Sequence, residues 1–161
     1  MKIIVVGASG TLGSAITEDL KRDHEVVEVA LNNRDISVDI SDIESIRAMY
    51  EEVGAFDALV SAAGLVHFGP LEDITQEQWQ LGVNNKLLGQ INLVMEGLKF
   101  INTCGSFTLT AGIISKDPIR YGAAATSVCA AIEGFEASAA LELPRGDSRE
   151  RRKSDYPCRI Y

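Results

Sequence analysis

The chain has 161 residues, 46% of them hydrophobic, and a formal charge of -8 at neutral pH. That length supports one domain with a sizeable core and is too short for two ordinary ones, while the acidic surface argues against nucleic acid or an anionic membrane as partner because it repels phosphate. Cys104, Cys129 and Cys158 are odd in number and widely spaced, so neither a disulfide framework nor a metal site is expected and a reducing, cytoplasmic setting fits; the apolar run of MKIIVVG is too short for a signal peptide or a membrane span.

In chain order, Lys2 to Val6 is a short β-branched run that reads as a strand, followed by a glycine-rich turn from Gly7 to Gly13 and a helix from Thr11 to Lys21. Glu25 to Ala30 predicts the second strand, and Asn32, Asn33 and Arg34 link it to a third at Ile36 to Ile40. Ser41 is placed to cap the next helix, with Glu44 at the capping-box spacing and Ile43, Ile46, Met49 and Tyr50 as its apolar stripe. Phe56 to Ala62 gives a fourth strand. A long helix is expected from Thr75 to Phe100, with Gln78 completing a capping box, then a fifth strand at Gly105 to Thr110 and a second long helix at Ala123 to Leu143. Strands alternating with helices predict an α/β fold, a doubly wound parallel sheet covered on both faces.

The turn GASGTLGS carries the first chemical signal. Gly7, Gly10 and Gly13 stand three apart between a strand and a helix, so the backbone from Gly7 through Ser9, Thr11 and Leu12 to Gly13 can approach a diphosphate, and the amides at the helix start can hold it. The triphosphate-binding loop is excluded, because Ser14 and Ala15 follow where Lys and Ser or Thr are required.

With these motifs in order, the chain resembles the short-chain dehydrogenase/reductase family. The resemblance rests on the glycine turn, VDIS at Val38 to Ser41, SAAG at Ser61 to Gly64, GSFTLTAG at Gly105 to Gly112 and AAIEGFEASAALELPRG at Ala130 to Gly146. It implies a Rossmann-like sheet over residues 1 to 146 that binds NAD or NADP, with Asp39 and Ile40 bordering the adenine and Ala62, Ala63 and Gly64 lining ribose and phosphates. It also implies an oxidoreductase that moves hydride between the coenzyme and a small carbonyl or alcohol, and a homodimer formed through Gln80 to Phe100 and Ala123 to Leu143. The end of the second strand, VALNNRD, offers no acid for the 2′-hydroxyl of NAD. Asn32, Asn33 and Arg34 therefore lean towards NADP, against the alternative that Arg34 is only a surface charge.

The catalytic positions of the resemblance are substituted. The tyrosine that serves as general acid or base falls at Ala125, the lysine four residues later at Cys129, the serine at or beside Gly112, and the asparagine of the long helix at Lys86. A phenol needs a nearby cation to become a useful base, and a methyl and a thiol supply neither group, so no catalytic residue is assigned. Tyr121 reaches the cleft only if the last helix begins early. Lys86 is either a solvated helix lysine or a charge offered to coenzyme or substrate. His67 reads as a surface histidine and Cys129 as a small buried hydrophobe. A non-catalytic dinucleotide-binding sensor or partner module is the alternative function.

The segment 147–161, DSRERRKSDYPCRIY, is dense in charge and reads as a disordered tail. Family members continue instead with a pattern resembling Ile-Arg-Val-Asn-Val-Val-Ser-Pro. One choice of codons for the segment yields that pattern when read one base over, so a frameshift near Gly146, loss of the C-terminal strands and a defective gene product are further expectations.

Overall fold

The computed structural model describes residues 1–32, 35–143 and 159–160. Its elements are β1 (Lys2–Val6), α1 (Thr11–Leu20), β2 (Glu25–Ala30), β3 (Ile36–Ser37), α2 (Ile43–Val53), β4 (Phe56–Ser61), α3 (Gln76–Leu81), α4 (Gly89–Gly97), β5 (Ile101–Leu109), α5 (Ala123–Glu142) and β6 (Arg159–Ile160). The described strands form one parallel sheet in the order β3-β2-β1-β4-β5-β6. Chain direction across the sheet therefore reverses between β1 and β4, the place where open α/β sheets bind ligands at their carboxyl ends.

Alternation along β1 divides the core. Ile4 and Val6 face a large cluster with α2, α4 and α5, whereas Ile3 and Val5 face a smaller one with Ile16 and Leu20 of α1. The large cluster contains an aromatic group in which Tyr50 stacks on Phe56 and Phe100, at 5.6 and 5.5 Å between centroids, and Phe107 meets Phe56 edge-on at 5.9 Å. Helix α5 contributes Ala124, Ala125, Val128, Cys129 and Ile132, a buried stripe at helical spacing.

Several boundaries depart from the sequence expectations. The third strand stops at Ser37, and the cap of α2 is Asp42, whose side chain accepts from Glu44 N at 2.9 Å. Ser41 cannot serve, because its hydroxyl donates to Asp39 Oδ1 at 2.6 Å. The fifth strand starts at Ile101, earlier than Gly105, through an irregularity in its pairing with β4 where Cys104 takes φ 65°. The Thr75–Gln78 capping box forms as expected. The long helix it opens is not uniform: Gly82–Leu88 between α3 and α4 is π-helical. Of the charged segment 147–161, only the two residues of β6 are described, and they pair with Ser106 and Phe107.

On α4, Glu96 ties two helices together. Arg47 of α2 donates to Glu96 Oε1 at 3.1 Å and Lys99 to Oε2 at 2.7 Å, and these bonds, Arg47 foremost, hold the carboxyl down at about 2 from an ordinary 4.5. A carboxyl held below its unfolded value stabilises the fold fully above the ordinary value and loses that contribution as pH falls through the depressed one. Urea midpoints are therefore expected to fall between about pH 5 and about pH 2 in the wild type, and Glu96→Gln should flatten that decline. An unchanged slope in the variant would show that other carboxylates govern the acid limb.

Candidate functional site

The glycine turn builds the floor of a crevice between β1 and β4. Gly7 N and Ala8 N both donate to Val29 O, at 2.8 and 3.1 Å, which fixes the turn to β2. Gly7 takes φ +88°, and a Cβ there would lie 2.7 Å from Ala62 O. Only glycine brings the two strand ends so close. Ala62 N in turn donates to Val6 O at 2.8 Å, so Ala62 and Ala63 stand directly beside the turn.

Helix α1 opens onto this crevice. Its N-cap is Gly10, with no side-chain cap and no acid in the first turn, and Ser14 N is the first amide to bond back, to Gly10 O at 2.8 Å. The amides of Thr11, Leu12 and Gly13 thus precede the first intrahelical bond and remain available to an anion. A Cβ on Gly10 would meet only Gly7 O, at 3.4 Å, so the space over the helix start is open. Ser9, Gly10, Thr11 and Leu12 are all exposed there. This cradle fits a diphosphate.

On the β2 side, Ala30 is buried and Leu31 exposed, and among the described residues no carboxylate directly follows the strand at Leu31 or Asn32. Asn32 is exposed; Asn33 and Arg34 lie outside the described residues. Asp39 is exposed, with Oδ1 accepting from Ser41 N at 2.9 Å, and Ile40 is buried in the core.

On the β5 side, the positions at which the resemblance expects catalytic groups come together. Ala125 is fully buried and Cys129 nearly so, and a Cβ on Gly112 would lie 3.2 Å from Cys129 Sγ. Burial pushes the Cys129 thiol up, with Lys86 acting in the opposite sense. Helix α5 begins at Ala123, and Tyr121 sits ahead of it in a loop at φ 66°, its carbonyl accepting from Gly69 N at 2.9 Å. The early helix start that would bring Tyr121 inward does not occur. His67 folds back on its own turn, with Nε2 2.7 Å from where a Cβ on Gly69 would stand.

Lys86 departs from its ordinary reading as a solvated helix lysine. Its stem crosses Gly64, where a Cβ would lie 2.6 Å from Lys86 Cγ, and burial lowers its ammonium below the usual lysine range. Two residues that sequence reasoning passed over hold it there. Gln90, completely buried, donates through Nε2 to Lys86 O at 3.2 Å and Thr110 O at 3.0 Å, and its Oε1 accepts from Thr110 N at 3.0 Å. Asn85 Oδ1 accepts from Leu65 N at 2.8 Å. A glutamine four residues beyond the lysine on an otherwise apolar helix face was the available signal for the first; Asn85 offered none.

Comparison with known proteins agrees with the fold. Residues 7–149 match the family model described as enoyl-(acyl carrier protein) reductase. The crystal structure of the protein lin1944 from Listeria innocua is similar at 46% identity and TM-score 0.90, over 99% of this chain and 74% of that one. A small-chain dehydrogenase solved in complex with NADPH is similar at 26% identity and TM-score 0.80, over 88% of this chain and 64% of that one. The short chain dehydrogenase claC of Passalora fulva is 30% identical over 86 residues, 51% of this chain and 32% of that protein, so the match spans about a third of the curated relative's length. Among the described residues, no helix is long and apolar enough to cross a membrane.

Proposed function

Because the chain belongs to the short-chain dehydrogenase/reductase family, we propose that it binds a pyridine dinucleotide across the carboxyl ends of β1 and β4 and moves hydride between NADP(H) and a small carbonyl or alcohol. The observation that carries the binding is the cradle of Gly7, Gly13 and Ala62, closed too tightly for any side chain and lined by free amides. When bound, the nicotinamide supplies or accepts the hydride. The chain's own part is to seat the diphosphate on the amides of Thr11, Leu12 and Gly13, with Ser9 and Gly10 beside them and Ala62, Ala63 and Gly64 opposite. The adenosine half then lies towards Asn32, Asn33, Arg34, Asp39 and Ile40. A strand end without a carboxylate at Ala30 and Leu31 favours NADP over NAD, and the relative solved with NADPH supports that class of coenzyme. Exposed Leu81 at the end of α3, Leu88 in the π-helical segment, Met95 on α4 and Leu98 just past it, with Leu141 on α5, support a homodimer through the two long helices.

A second reading has its own observation. Ala125, Cys129 and Gly112 bring a methyl, a thiol and a hydrogen to the positions where proton transfer would need a phenol, an ammonium and a hydroxyl, which favours a dinucleotide-binding protein without turnover. Calorimetric titration with NADP+ and NAD+, then a screen for NADPH oxidation over ketones and aldehydes, separates the readings, with light scattering on the same sample giving the mass. Saturable binding with turnover is expected from the first reading and binding alone from the second. No binding of either coenzyme at about 1 mM, a level that detects even contacts of about 4 kcal/mol, would sink both.

A further inference from the structure

The crevice holds one more group with no assigned task, the ammonium of Lys86. Helix α5 faces this part of the cleft with apolar and thiol groups, and the charge enters from the opposite wall, on the π-helical segment. Its route is built for it: the stem passes over Gly64, three residues beyond β4 and at φ +135°, where a Cβ would lie 2.6, 2.9 and 3.1 Å from Lys86 Cγ, Cβ and Cα. Gln90 and Asn85 pin the segment on either side. Among the described residues, no carboxylate pairs with Lys86; on α5, Glu133 is engaged by Ser115 and by Lys116, the latter at 3.3 Å. A partly buried cation without a counter-charge is costly unless a ligand brings acceptor oxygens to it.

The strand order says which oxygens. The cradle at α1 lies between β2 and β4. Asp39 and Ile40 follow β3 on one side of it, and Gly64, Lys86 and Cys129 lie on the other. A dinucleotide whose diphosphate rests on α1 and whose adenosine points towards β3 must send its second nucleoside past Gly64. We propose that Lys86 binds the ribose hydroxyls of the nicotinamide half, so that the cation of this subsite comes from the π-helical segment and not from α5. This rests on the reading that the crevice takes a dinucleotide.

The test compares two ligands on the full chain. Wild-type protein and Lys86→Met are titrated with NADP+ and with 2′,5′-ADP, which carries only the adenosine half. The variant is expected to bind NADP+ about tenfold more weakly, the loss of one charge-assisted hydrogen bond, and 2′,5′-ADP as the wild type does. Equal affinity of the two proteins for NADP+, or equal weakening for both ligands, would overturn the assignment, the latter by showing a structural role only. Absence of binding of either ligand to the wild type would instead overturn the reading of the crevice itself. A second measurement needs no variant. Reductive methylation of Lys86 in the wild type should be slowed by NADP+ and not by 2′,5′-ADP, and equal protection by both, or protection by neither, would likewise overturn the proposal.

Discussion

Replacing Gly13 with alanine is expected to weaken dinucleotide binding strongly and to lower the melting temperature. The added Cβ would stand 2.1 Å from Gly7 O and 2.7 Å from Gly7 C, and backbone cannot swing aside as the end of a long side chain can. Either α1 or the turn must move. Overpacking of this kind costs about 2 kcal/mol, or about 4–8 °C in a chain of this size. The displaced turn no longer presents the Thr11, Leu12 and Gly13 amides to one diphosphate, which should weaken NADP+ binding on the order of a hundredfold, the equivalent of about 2.7 kcal/mol. Gly10→Ala is the control. Its Cβ would meet only one atom, at 3.4 Å, and its φ is -80°, so stability should change by less than about 0.5 kcal/mol. If Gly13→Ala binds and melts like the wild type, the cradle geometry described above is wrong.

Gln90→Leu should cost more stability than any surface change. Leucine matches the volume and removes all three hydrogen bonds, leaving Thr110 N and Thr110 O without their side-chain partner at a place where Gln90 is shut off from water. Each buried group so stranded costs about 1–3 kcal/mol, and a loss of about 3 kcal/mol in urea unfolding is expected. Binding should suffer as well, because the bond to Lys86 O is one of two that hold the π-helical segment against the crevice. Gln90→Glu keeps the acceptor for Thr110 N and loses the donor, so it should fall between the two. Wild-type stability in Gln90→Leu would mean that water replaces the side chain, and that the clip has no part in positioning Lys86.

How far the sequence could be read depended on how local the determinants were. β1 and β2 were placed to the residue, because β-branched runs bounded by glycine or polar residues carry their own limits. The glycine turn and the Thr75–Gln78 box were legible for the same reason. The cap of α2 was misplaced by one residue because Ser41 and Asp42 are both good cap formers, and only the pull of Asp39 on Ser41 decides between them. The start of β5 was hidden because Ile101, which pairs with Phe56, is separated by an irregularity from the next paired residue, Ser106, so the regular strand pattern begins only near Gly105. Apolar periodicity cannot distinguish an α-helix from one with a π-helical insert, since both keep a buried face on either side of the change. Lys86 was hardest. Its environment is made by Gly64 on another element and by a clip between Gln90 and Thr110 at the end of β5, and nothing beside it in the chain announces either.

The insert at Gly82–Leu88 has a consequence for how such a chain can change. A π-helical turn amounts to one surplus residue in an otherwise regular coil, so excising a single position from 82–88 would let the ladder close as an ordinary α-helix while both flanking pieces kept their seats against the sheet. The fold would tolerate that shortening far better than the crevice would. Residues between the two pieces, Lys86 included, would point in new directions about the axis. A lineage could thus exchange the wall of its binding cleft in one small genetic step, leaving the hydrophobic interior as it was.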